Sequence, residues 1–201
     1  MSIAIRNLEK GPKLDSQKLV VGLAGMPGAG KSIVVSVAKA SGYGVVVMGD
    51  EVREEAKKRG LEPTPENLGR IMLELRHLKG EAVIAKRCIP KIAGMTESKV
   101  VVDGVRSLAE VEEFRRNFPK FALVAVHAAP ETRFKRLFHR GRSDDPRSWE
   151  VFHERDMREL SVGLGNAIAM AEYMIVNEGS LNIVKKQAAE ILRRIEAKWM
   201  R

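Results

Sequence analysis

Gly25-Met26-Pro27-Gly28-Ala29-Gly30-Lys31-Ser32 is the stretch on which the fold turns. It fits the pattern G-x-x-x-x-G-K-[ST], and its flanks supply the context that gives such a pattern meaning. Before it, KLVVGLAG (18–25) is a short apolar run with a glycine stop, which reads as a buried strand. After it, residues 31–40 read as a helix closed by Ser41-Gly42. Gly25, Gly28 and Gly30 permit backbone angles that other residues resist, so the loop backbone from Gly25 to Ile33 can wrap phosphate oxygens. The helix that follows adds unpaired N–H groups and the positive end of its dipole. Lys31 is placed to reach the β- and γ-phosphates, and the Ser32 hydroxyl to ligate Mg²⁺. The expectation is a site for ATP with Mg²⁺. A dinucleotide-binding turn is excluded, because Gly28-x-Gly30 is followed by Ile33 where G-x-G-x-x-G requires glycine.

Outward from this unit, strand and helix alternate. Strands are expected at 44–50 (GVVVMGD), 99–103 (KVVVD), 121–128 and 173–177, each a nearly continuous apolar run. Helices are expected at 51–59, through Leu68 to Leu78 after the break at Glu62-Pro63-Thr64-Pro65, and at 81–92, 108–118, 130–140, 148–160 and 165–171. A last helix carries Leu181, Val184, Ala188, Ile191, Leu192, Ile195 and Trp199 on one face. Apolar strands separated by helices argue for an α/β fold with a parallel sheet covered on both faces. Residues 1–17 read as an irregular extension and 18–201 as one domain.

Two strand ends carry acid and arginine together: Gly49-Asp50-Glu51-Val52-Arg53 and Asp103-Gly104-Val105-Arg106. Strand C-termini line the ligand crevice of such a sheet. There Asp50 and Asp103 can hold waters of the Mg²⁺ shell, while Arg53 and Arg106 can fork onto a second phosphate. A third element is arginine-rich: Arg133, Arg136, Arg140, Gly141 and Arg142, then Ser143-Asp144-Asp145-Pro146 and Arg155. Arg140, Arg142 and Arg155 are expected to close over the transferring phosphoryl group, with Asp144 and Asp145 holding them when the site is open.

The chain has 35 Lys and Arg against 26 Asp and Glu, a net charge of +9. The excess sits mainly in 131–142 and 185–201, and the second segment reads as the solvated face of a docked helix. No uncharged stretch approaches the roughly 18 residues of a membrane span. The start, MSIAIRNLEKGPKLD, lacks a signal-peptide core, so a cytoplasmic protein without membrane association is expected. One cysteine, Cys88, excludes an internal disulfide and a cysteine-based zinc cage. The four histidines show no metal-ligand spacing, and His127, inside an apolar strand, is expected in the core.

Together these motifs resemble the nucleoside monophosphate kinase group of P-loop proteins, which includes adenylate kinase. Gly49-Asp50-x-x-Arg53 is similar to that group's strand-2 motif, whose arginine binds the acceptor phosphate. Asp103-Gly104-x-Arg106 is similar to its Asp-Gly-Phe-Pro-Arg motif with one residue missing, and residues 140–147 with Arg155 resemble a short lid. YMIVNEGS (173–180) resembles the adenine-side loop of dephospho-coenzyme A kinases, which implies nucleotide contacts from Asn177 and Gly179. Most closely, the chain resembles an archaeal adenylate-kinase-related family. The resemblance implies a three-layer P-loop fold with strand order 2-3-1-4-5 and an acceptor-side helical insertion at about 51–96. Met48 stands where adenylate kinase has threonine, and Glu110 or Val111 near the position of its base-reading glutamine, so AMP is not the assigned acceptor.

Three functions follow as expectations. One is transfer of the γ-phosphoryl of ATP to a small phosphorylated acceptor such as a nucleoside monophosphate. Such an acceptor is already an oxyanion and needs no base. The second is a kinase of a hydroxyl acceptor, with Asp50 as base. The third is a non-catalytic ATP-responsive regulator or RNA-associated module. Nucleic acid is permitted by the charge but not favoured, and the oligomeric state is left open.

Overall fold

The computed structural model describes residues 17–142 and 145–199. The extension expected over 1–17 lies, except for Gln17, outside the described residues, as do Ser143 and Asp144 of the expected lid. The sheet has five parallel strands: β1 (Leu19–Ala24), β2 (Gly44–Val47), β3 (Lys99–Asp103), β4 (Phe121–His127) and β5 (Tyr173–Val176). Their order is β2-β3-β1-β4-β5, as expected. Register follows residue by residue, with Leu23 opposite Asp103 and Val47 opposite the same Asp103.

Side chains alternate along each strand, which sorts the core into two layers. Leu19, Val21 and Leu23 of β1 face α1 (Lys31–Ala40) and α9 (Leu181–Trp199), where Val184, Ala188, Leu192 and Ile195 are buried. Val20 and Ala24 face the other layer. That layer holds α2 (Met48–Lys58), α3 (Pro65–Lys79), α4 (Val83–Ala93), α5 (Leu108–Asn117) and α8 (Leu164–Ala169). Cys88 lies in it, and burial pushes its thiol up to about 12. The remaining helices, α6 (Pro130–Arg140) and α7 (Trp149–Ser161), meet through the rings of Phe134, Trp149 and Phe152.

Two expectations are corrected. The second strand ends at Val47 rather than Asp50, and Met48 already opens α2. Val47 is the last residue to pair with β3. Beyond it the backbone N–H and C=O groups have no strand to bond, and a helix satisfies them. Asp50 and Glu51 in the first turn suit the positive end of its dipole. His127, expected in the core, is exposed, because β4 reaches the rim of the sheet there.

Candidate active site

The phosphate loop joins β1 to α1. Gly30 caps α1 at φ 101°, and no side chain caps the helix, which leaves its first N–H groups for an anion. A Cβ at Gly30 would lie 2.1 Å from Asn177 Nδ2, and one at Gly28 (φ 80°) 2.8 Å from the Arg133 carbonyl oxygen. Space and conformation both demand glycine there. Lys31 bends back over the loop and its Nζ donates to the Gly25 carbonyl at 2.6 Å. Burial lowers its pKa; the nearby Asp103 opposes that fall, as does Glu159, while Arg106 and Arg155 add to it. A phosphate group supplies the further negative charge that favours the ammonium. Ser32 is exposed in the first turn of α1.

Asp103 ends β3 between β1 and β2, beside this loop. Its Oδ1 is buried and has no hydrogen-bond partner among the described residues. An orphaned carboxylate oxygen costs free energy, and a cation-bound water satisfies it. Among the described residues no three His, Cys, Asp or Glu cluster as a metal site. The residues present fit Mg²⁺ in one way: the Ser32 hydroxyl would hold the ion and Asp103 would hold one of its waters. Asp50 is placed differently: it is exposed on α2 and accepts from Arg53 Nη1 at 2.8 Å.

A cleft with about 770 Å³ of empty space, its open mouth included, lies against the Gly104 and Arg106 turn that follows β3. One wall is apolar, from Met48 and Val52 of α2, Leu68 and Met72 of α3, and Ile84 of α4. Arg53, Arg106, Arg155 and Arg158 make the lining basic as well, and Gly49 and Gly104 also line it. The structure thus gathers Gly49, Arg53, Gly104, Arg106 and Arg155 around one space. Arg106 and Arg155 belong both to this cleft and to the electrostatic surroundings of Lys31.

Several site residues were not legible from motifs. Glu110 is fully buried on α5. It accepts from Arg76 Nη2 at 2.6 Å and from the Arg106 backbone N–H at 2.7 Å, so it fixes the turn that carries Arg106. On α7, Glu159 pairs with Arg106 Nη1 at 3.3 Å. Asp156, three residues earlier, accepts both guanidinium ends of Arg133, at 2.9 and 2.6 Å. Arg133 also donates to the carbonyls of Ala128 and Pro27, and it stacks on Phe152. It is a buried brace of the phosphate loop rather than a lid residue. For Asp156 and Glu159 the sequence signal is their spacing with Phe152 along one face of α7.

The rest of the arginine-rich element divides. Arg136 donates to the Asn177 carbonyl at 2.9 Å, and Asn177 Nδ2 donates to the Ala29 carbonyl at 2.8 Å, tying the end of β5 to the loop. Gly179 is exposed before α9. Arg140 holds the buried Asp145 with two hydrogen bonds, of 2.9 and 2.5 Å, and Asp145 also accepts from the Arg142 N–H at 2.9 Å.

A family profile described as an AAA domain matches residues 24–153. The UPF0200 protein of Hyperthermus butylicus is 52% identical over 180 residues, covering 90% of this chain and 96% of that one. The UPF0200 protein of Methanocaldococcus jannaschii is 48% identical over 179 residues, covering 88% and 90%. Among solved structures, a gluconokinase from Sinorhizobium meliloti superposes with a TM-score of 0.56 at 17% identity, covering 91% and 95%. A shikimate kinase from Acinetobacter baumannii in complex with shikimate gives 0.57 at 15%, covering 92% and 97%. At such identity the likeness is one of fold. The phosphate loop and sheet order, the profile match and the close archaeal relatives agree that this chain belongs to the UPF0200 family, built on the P-loop kinase fold.

Proposed function

We propose that this protein is an ATP-dependent phosphotransferase that moves the γ-phosphoryl of Mg-ATP to a small phosphorylated acceptor of the nucleoside monophosphate type. The observation that carries the reading is that Arg106 and Arg155 stand at once beside Lys31 and in the arginine-lined cleft. Charge built up between a donor and an acceptor phosphate falls among these three cations. Bound Mg²⁺ would neutralise phosphate charge, held by the Ser32 hydroxyl and a water on Asp103. The loop backbone and Lys31 hold the β- and γ-phosphates, with Asn177 bracing the loop at the nucleotide's side. Arg53 and Arg106 grip the acceptor phosphate, whose oxygen attacks phosphorus in line as the bond to the ADP oxygen breaks. Because that oxygen is already anionic, positioning and charge neutralisation suffice and no base is required. Arg140 and Arg142 close on the γ-phosphoryl from the 140–147 segment, and the setting is cytoplasmic.

The test is transfer of labelled γ-phosphate from Mg-ATP across ribo- and deoxyribonucleoside monophosphates and dephospho-coenzyme A, with Lys31→Ala as the blank. Labelled diphosphate product, reduced at least 100-fold in the blank, supports the reading; about 2.7–4 kcal/mol is typical for one transition-state donor. Label transferred only to the dephospho-coenzyme A hydroxyl would replace it with the hydroxyl-kinase reading. ATP binding with no product from any acceptor would replace it with the regulator reading.

A further inference from the structure

Two residues that line the acceptor cleft each carry a buried polar atom with no hydrogen-bond partner among the described residues. Arg76 is 9% exposed and its Nε has no partner; Glu159 is 6% exposed and its Oε2 has none. Both residues line the cleft, on α3 and α7 respectively. Their other polar atoms are committed. Arg76 Nη2 is held by Glu110 and its Nη1 donates to the Met72 sulfur. Glu159 Oε1 takes Arg106 Nη1. Glu110 uses one oxygen on Arg76 and the other on the Arg106 N–H. With these two bonds it is occupied in orienting Arg76. Leaving a buried donor or acceptor unpaired costs about 1–3 kcal/mol, and two of opposite sense around one cleft mark a surface completed by a ligand.

We infer that Arg76 and Glu159 are the specificity-determining residues of the acceptor cleft. Arg76 Nε donates to a hydrogen-bond acceptor on the non-phosphate part of the incoming molecule. Glu159 Oε2 accepts from one of its O–H or N–H groups. The acceptor is therefore a phosphate ester whose organic part carries both kinds of group beside an apolar surface that packs on Met72 and Ile84. A plain aryl or alkyl phosphate meets the arginines but leaves both buried atoms unpaired, and sites with unpaired polar groups reject such analogues strongly. The inference rests on the phosphorylated-acceptor reading but needs no turnover to be tested.

The experiment is equilibrium binding, by calorimetry in the presence of Mg-ADP, of the ribonucleoside monophosphates and of phenyl phosphate. It compares the wild type with Arg76→Lys and Glu159→Gln. Arg76→Lys keeps a cation for Glu110 but removes the Nε donor; Glu159→Gln keeps an oxygen for Arg106 and turns the second position into a donor. We expect the best nucleotide to bind wild type at least 10-fold tighter than phenyl phosphate. Each substitution should bring that ratio below 3-fold, with the loss on the nucleotide side. A purely structural defect would weaken both ligands together and leave the ratio intact, and that result would overturn the assignment. Wild type that binds phenyl phosphate as well as every nucleotide, or binds none of them, would overturn it too. Selective binding with no labelled product in the transfer assay would retain the assignment and remove the kinase reading.

Discussion

Two arginines of the cleft, Arg53 and Arg106, have partners that tell their roles apart. Arg53 is half exposed and engages the exposed Asp50, a pair worth little in water, so a phosphate displaces Asp50 at small cost. Arg106 is held at its backbone by Glu110 and at its side chain by Glu159, beside Lys31. Arg53→Ala should therefore raise the KM for the acceptor about 10- to 100-fold while kcat falls less than threefold, a loss of one charge-assisted grip of about 1.5–3 kcal/mol. Arg106→Ala should lower kcat as well, by 100-fold or more, because that guanidinium also faces the transferring group. Steady-state kinetics on the two variants check the split; equal effects on KM and kcat at both positions would deny it. The motif glycines, Lys31 and the Asp103–Arg106 turn were legible in the sequence because their chemistry needs a fixed local spacing. Arg76 and Glu159 were not, because their meaning comes from Glu110 and Arg106, 34 or more residues away, which only packing brings near.

The helix α7 behaves as one device. Phe152, Asp156 and Glu159 share its buried face, with Arg155 on the same helix lining the cleft. Through Arg133, Asp156 reaches the Pro27 carbonyl of the phosphate loop. Removing one member of a buried ion pair strands the other charge, so Asp156→Ala should destabilise the fold by about 3–5 kcal/mol and weaken ATP binding. Denaturant unfolding and nucleotide titration measure both; a loss under 1 kcal/mol would show that Arg133 is not dependent on it. At the end of α6, Asp145 pins Arg140. Burial alone would raise the Asp145 carboxyl, but the Arg140 guanidinium and the Arg142 N–H more than reverse this and hold it below the usual carboxylate range. A depressed carboxyl contributes its full stability above the ordinary value of about 3.9 and loses it as pH falls through the lower folded value. The protection factor of the Arg142 amide should hold from neutral pH to about 4 and drop below that, and Asp145→Asn should remove the step. At this scale, sequence reading misplaced the end of β2. The run GVVVMGD stays apolar past Val47, and where it turns helical depends on where β3 stops pairing.

Across the whole molecule the charge of +9 is not a free surface. Arg133 and Arg136 are turned inward onto Asp156 and Asn177. On α9 the residues opposite Val184, Ala188, Leu192 and Ile195 form the solvated side of a docked helix. The basic groups that converge on one space are those of the cleft, which suits a phosphorylated small molecule better than a nucleic-acid track. Sheet order followed from the resemblance carried by the phosphate loop and the two strand-end motifs. The two-layer core followed from strand alternation, which the apolar runs alone could not assign to a face. The most direct measurement is ADP formation from Mg-ATP with and without each nucleoside monophosphate, in wild type and in Lys31→Ala. At least one acceptor should accelerate ADP formation 10-fold or more, with stoichiometric phosphorylated product, and Lys31→Ala should abolish the acceleration. ADP formation that no acceptor changes, or an acceleration that survives Lys31→Ala, would contradict the phosphotransferase reading.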